Sequence, residues 1–229
     1  MKSLVIIPAY NEQDSILKVV NKLKVDCPEA DYVVINDSST DNTLQILRDN
    51  NINYVNLPLN LGIGGGVQTG YKYAKEKGYD IAIQIDGDGQ HDTKYLKKVI
   101  QPIEEGNADI VIGSRFIKKE GFQSSGMRRT GIKFLSELIK LTTKTKVLDV
   151  TSGFRAVNKR YIDKYAENYP IDYPEPEAIV MASLSGGRIK EVPVIMKERE
   201  SGKSSIYSWK SIYYMIKVSL AIVLRKLAA

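Results

Sequence analysis

The chain has 229 residues, with 33 Lys and Arg against 27 Asp and Glu, for a net charge of +6, and only one cysteine and one histidine. That length holds one α/β domain with a substantial core and little beyond it, and a lone Cys27 excludes an internal disulfide. The charge suits phosphate-rich ligands or an anionic membrane surface, but without a recognition helix, aromatic platform or basic run it gives no case for nucleic acid.

The apolar run at 3–8 (SLVIIP) predicts a buried strand that stops at Pro-Ala-Tyr-Asn, too short for the core of a signal peptide. With the single cysteine, which reads as a buried small hydrophobe, this fits a reducing, cytoplasmic setting. A helix is expected over 15–24, with Ile16, Val19, Val20 and Leu23 on one face. A strand at 32–35, a turn, a helix over 40–50 and a short strand near 54–57 come next. The glycine-rich loop 62–66 then leads to a helix over 67–77, closed by Gly78.

A strand at 81–85 runs into Asp86, followed by a helix over 93–105 and a strand at 110–112. Strands alternating with helices predict a mainly parallel, doubly wound α/β sheet with its ligands at the carboxyl ends of the strands. Beyond Arg115 the pattern changes. A polar stretch (118–126), a helix over 132–141, a loop at 148–155, Tyr-Pro-Glu-Pro-Glu at 173–177, a helix to Leu184 and a strand at 191–195 are expected. The division is a domain over 1–205, with 1–115 as the nucleotide half and 116–205 as the acceptor half, and a C-terminal helix over 206–229.

Ile85-Asp86-Gly87-Asp88-Gly89-Gln90 carries the strongest chemical signal. A hydrophobic strand ends in two carboxylates one residue apart, and Mg²⁺ or Mn²⁺ commonly takes one or two carboxylates plus phosphate oxygens. Asp and Gly also populate plain turns, so these residues by themselves leave that alternative open. Pro8-Ala9-Tyr10-Asn11-Glu12 and Asn36-Asp37-Ser38-Ser39-Thr40-Asp41 follow the first two strands. Each suits either a ligand loop or the cap of the next helix.

These segments resemble glycosyltransferase family 2 on the GT-A fold, in its dolichyl-phosphate mannose synthase-like branch. The resemblance also takes in Asn60 to Gly64, Asp86 to His91, Gly113 to Arg115 and Ser152 to Arg155, and so covers about residues 3 to 206. It implies an inverting, metal-dependent glycosyltransferase that moves a sugar from a UDP- or GDP-linked donor to a polyprenyl phosphate. The work would belong to cell-surface polysaccharide synthesis, at the cytoplasmic face of the membrane. Pro8, Ala9, Tyr10, Asn11, Glu12, Ile35 and Asp37 would hold the nucleoside. Asp86, Gly87 and Asp88 would meet the donor diphosphate, with Asp86, Asp88 and Gln90 on the Mg²⁺ or Mn²⁺. Arg115 and Arg129 would face phosphates, and Arg199 would close over the donor. Where relatives carry a lysine the chain has Ser205, and Lys203 is the nearby substitute. His91 would stand behind the metal ligands. A sugar-hydroxyl acceptor, with Glu177 or Asp149 as base, and a non-catalytic nucleotide-sugar binder are the alternatives.

The tail carries Trp209, Ile212, Tyr213, Ile216, Leu220, Val223, Leu224 and Leu227 at helical spacing, with Lys210, Lys217, Arg225 and Lys226 among them. It suits a helix lying on a membrane surface, or one packed on its own domain, a second copy or a small membrane-protein partner.

Overall fold

The computed structural model describes residues 1–123, 125–198 and 208–227, the last stretch with side chains from 213 onward. In chain order its elements begin with β1 (Ser3–Ala9), α1 (Ile16–Asp26), β2 (Asp31–Asn36), α2 (Thr43–Asp49), β3 (Tyr54–Asn56) and α3 (Gly62–Glu76). They continue with β4 (Ile81–Gln84), a 3₁₀ turn at Thr93–Tyr95, α4 (Leu96–Glu104), β5 (Ile110–Ser114) and α5 (Gly126–Thr143). The chain closes with β6 (Arg155–Asn158), α6 (Lys159–Glu167), α7 (Pro174–Leu184), β7 (Ile189–Pro193) and α8 (Ser208–Leu227).

One seven-stranded sheet runs in the order β3-β2-β1-β4-β6-β5-β7. Every pairing is parallel except those of β6, which lies antiparallel to β4 and to β5. Alternating side chains divide the core between the two faces, as the period of two in a strand requires. Leu4, Ile6, Val33 and Ile35 pack with α3, α5, α6, α7 and α8, while Val5, Ile7, Val34 and Ile83 pack with α1 and α4. Cys27 is buried in the second cluster, and burial pushes its thiol pKa up.

The mixed α/β sheet expected from the sequence is present, with three local differences. Residues 62–66 form the first turns of α3 rather than a loop. A Cβ at Gly64 would collide with the carbonyl oxygens of Pro170 and Ile171, so this glycine serves close packing. The helix expected at 132–141 begins at Gly126, where Ser125 caps it by accepting from the Arg128 N–H. Strand β6 and helix α6 were not expected at all. β6 opens on Arg155, wholly buried despite its charge, and a strand of four residues led by arginine leaves no apolar alternation to read. For α6 a signal exists in the Asn158 cap and in the buried Tyr161, Ile162, Tyr165 and Ala166.

Candidate active site

Because β1, β2, β4, β5 and β7 run parallel and β6 opposes them, the segments after β1, β2, β4, β5 and β7 and the one before β6 gather at one sheet edge. The loops after β1 and β2 are laced together. The Asp37 N–H donates to the Ala9 carbonyl at 2.9 Å, the Asn11 N–H to Ser39 Oγ at 3.0 Å, and the Thr40 N–H to Asn11 Oδ1 at 2.8 Å. The Glu12 N–H reaches Thr43 Oγ1, and its carboxylate takes the Ser15 hydroxyl at 2.8 Å. Asn11 and Ser38 both hold φ near +57°, a left-handed backbone that non-glycine residues adopt at a cost and that clusters in ligand-binding loops.

Of the residues expected at the nucleoside, Tyr10 is exposed while Pro8 and Ala9 form the buried end of β1. Asp37 is buried and accepts the Leu61 N–H at 2.7 Å, which ties it to the start of α3. Ile35 is wholly buried in the core, so its side chain does not reach this edge.

Asp86 and Asp88 stand just past β4. The Asp86 side chain is 34% exposed, whereas Asp88 is buried, with Oδ1 accepting the Gln90 N–H at 3.0 Å. Gln90 turns its side-chain amide to the Lys197 carbonyl and so ties this turn to the segment beyond β7. A Cβ at Gly87 would stand 3.1 Å from the Pro8 carbonyl, so the turn rests on the end of β1. His91 is buried, takes the Asp86 N–H on Nδ1 at 3.0 Å, and places Nε2 3.6 Å from Asp86 Oδ2.

Arg115 is arranged differently from the expectation. Arg115 is buried, and its guanidinium grips Asp149 through Nε and NH2 at 2.7 Å each, with Thr151 Oγ1 at 3.1 Å. It faces the protein interior. Arg129 is exposed in the first turn of α5. The two carboxylates weighed as bases are both engaged, Asp149 by Arg115 and Glu177 by Arg225 of α8 at 2.8 Å. Glu175 lies in the same Pro-Glu-Pro-Glu segment as Glu177, and its pKa is raised, first by burial and also by the charge of Asp86, against lowering by Arg155 and Arg128. Arg199 and Lys203 lie outside the described residues.

Among the described residues no three or more His, Cys, Asp or Glu converge to hold a metal ion. The acidic pair is instead a two-carboxylate oxygen set, the kind that holds Mg²⁺ or Mn²⁺ together with phosphate oxygens rather than in an all-protein cage. The residues fit a cation of that class.

The family model described as Glycosyl transferase family 2 matches residues 4–166. An undecaprenyl-phosphate mannosyltransferase of Micrococcus luteus is 30% identical over 90% of this chain and 88% of its own length. A UDP-N-acetylglucosamine–dolichyl-phosphate N-acetylglucosaminyltransferase of Methanococcus voltae is 32% identical over 96% of each. In fold, the chain superposes with a TM-score of 0.71 on glucosyl-3-phosphoglycerate synthase of Mycobacterium tuberculosis, solved with Mn²⁺, UDP and phosphoglyceric acid; the two are 17% identical, over 98% of this chain and 78% of that one.

Proposed function

The chain belongs to glycosyl transferase family 2 and is a glycosyltransferase, and we propose that it moves one sugar from a nucleotide-diphosphate donor to a polyprenyl phosphate with inversion. The observation that carries the proposal is the acidic pair Asp86 and Asp88, set at the carboxyl edge of the sheet beside the laced loops after β1 and β2. Full-length similarity to proteins named for undecaprenyl and dolichyl phosphate supports the acceptor class.

In this mechanism an oxygen of the acceptor phosphate attacks the anomeric carbon, the bond to the donor diphosphate breaks, and the nucleoside diphosphate leaves. That acceptor is already anionic, so no base is needed. The engaged state of Asp149 and Glu177 agrees with this. Tyr10, Asn11, Glu12 and Asp37 form the nucleoside side, with Pro8, Ala9 and the backbone at Ile35 as its floor. Asp86 and Asp88 would hold Mg²⁺ or Mn²⁺, with Gln90 fixing Asp88 through its backbone; such an ion offsets the charge on a departing diphosphate. Arg129 stands at the N-terminus of α5, where exposed N–H groups and the helix dipole favour a phosphate. Arg115 holds the edge by its grip on Asp149. Arg199 and Lys203 are proposed to close over the donor.

The tail belongs to the same proposal. Val218 and Ile222 of α8 are buried against the domain, while Tyr213, Ile216, Leu220, Leu224 and Leu227 are exposed. Lys217 pairs with Asp172 and Arg225 with Glu177, so these two cations bind the protein itself rather than facing anionic lipid. Among the described residues no helix is long and apolar enough to cross a membrane. We place the exposed apolar face of α8 on the cytoplasmic membrane surface, where it brings the sheet edge to a lipid-linked acceptor. Calorimetry of UDP- and GDP-sugars with and without Mn²⁺ tests the donor half. Saturating nucleotide-sugar binding that EDTA weakens is expected, and the absence of any nucleotide-sugar binding would overturn it.

A further inference from the structure

Ser152-Gly153-Phe154-Arg155 is left without a task by the reaction just described. This segment enters β6 from the edge where Asp86 stands. Ser152 anchors it by donating its hydroxyl to the Gly113 carbonyl at 2.7 Å. A Cβ at Gly113 would lie 3.2 Å from two atoms of the Phe154 ring, so a bare backbone there leaves the ring its place. Phe154, wholly buried, stacks on His91 with ring centroids 5.2 Å apart, and His91 holds the Asp86 backbone.

Gly153 touches the carboxylate itself. A Cβ at this position would stand 2.9 Å from Asp86 Oδ1, 3.2 Å from Oδ2 and 3.2 Å from Gln84 Nε2. Gln84 is wholly buried, and among the described residues neither polar atom of its amide has a hydrogen-bond partner. A buried amide held this way disfavours folding, so its place beside Asp86 argues for a role in the site. Arg155, also wholly buried, donates from Nε and NH2 to the Ser152 carbonyl and from NH1 to the Glu175 carbonyl. Its planar fork thus joins the segment to the first turn of α7.

We propose that Ser152 to Arg155 is the positioning element of the acidic pair: the bare Cα of Gly153 sets where the Asp86 carboxylate lies, Phe154 and His91 hold its backbone, and Arg155 fixes Gly153 against α7. This inference rests on the assignment of Asp86 to the metal and diphosphate site. Adding a methyl at Gly153 displaces the end of a side chain rather than backbone, so the fold accommodates it while the carboxylate moves.

The test is Mn²⁺ affinity in the presence of UDP or GDP, read by electron paramagnetic resonance, for the wild type, Gly153→Ala, Arg155→Lys and Asp88→Asn. Gly153→Ala is expected to weaken Mn²⁺ at least tenfold with unchanged circular dichroism. Arg155→Lys keeps the charge and loses the fork, and is expected to weaken Mn²⁺ in the same direction. Wild-type affinity in Gly153→Ala, with Asp88→Asn impaired, would overturn the positioning role alone. Wild-type affinity in Asp88→Asn would instead overturn the site assignment beneath it. Loss of stability without loss of Mn²⁺ affinity in Arg155→Lys would reduce Arg155 to a support of the core.

Discussion

Asp88→Asn keeps the shape of a side chain that is buried and accepts the Gln90 N–H, but removes the charge a hard cation needs. Transfer is expected to fall to background while the melting curve stays in place, and turnover near the wild-type rate with Mg²⁺ or Mn²⁺ would contradict the assignment. Arg115 separates differently. Arg115→Ala leaves the wholly buried Asp149 without its partner, a change that costs about 3–5 kcal/mol, so urea denaturation should show a large loss of stability. A stable Arg115→Ala enzyme with weak donor binding would return this arginine to the phosphates. Arg129 is exposed, and Arg129→Ala should raise KM for the acceptor while leaving donor affinity in place, which calorimetry checks. The place of Asp86 and Asp88 at the end of a strand was legible because an apolar run stops on them, although such a pair by itself also suits a plain turn. The partner of Arg115 was not legible, since nothing in a sequence shows that a charged side chain is buried against another 34 positions away.

The carboxyl of Asp109 is held below the usual range, first by hydrogen bonds from Arg188, and it also accepts from Asn158, so it staples the starts of β5 and β7 to the end of β6. Its folded pKa lies under its unfolded one. The stability it gives is therefore full above about pH 3.9 and is lost as pH falls through the lower folded value. Asp109→Asn should be less stable than wild type by roughly 1.5–3 kcal/mol at pH 7, and the gap should close below about pH 4 in denaturation curves. A gap constant from pH 7 to 3 would contradict this. Helix α8 gives the second test at this scale. Replacing Ile216, Leu220 and Leu224 by serine touches only exposed positions, so the fold should hold while liposome binding and transfer to long-chain acceptors fall. Transfer to a short, water-soluble prenyl phosphate should survive. Unchanged liposome binding with a dimer becoming a monomer would make this face an interface between copies. The strands and helices up to β5 could be read from their periods and stops, apart from the start of α3, where the glycines of 62–66 read as a loop. β6 and α6 could not, because β6 is four residues long, opens on a buried charge and reverses the direction of the sheet.

At the scale of the molecule, one sheet edge gathers segments drawn from 8–12, 36–41, 86–91, 113–115 and 152–155. The chain order could be read in advance, but their mutual support could not, since contacts such as Phe154 on His91 and Gly153 under Asp86 depend on β6. The α5–α7–α8 face lies on one side of this sheet, and we infer that it delivers a lipid-borne phosphate to the same edge. The most direct measurement of that account is the identity of the product. Purified protein, a nucleotide-sugar selected by calorimetry, Mn²⁺ and a polyprenyl phosphate in detergent should yield a lipid-linked monosaccharide. Its phosphorus spectrum should show a sugar–phosphate diester in place of the monoester, and EDTA or Asp88→Asn should abolish it. Sugar found only on a saccharide hydroxyl, with the polyprenyl phosphate recovered unchanged, would contradict the account.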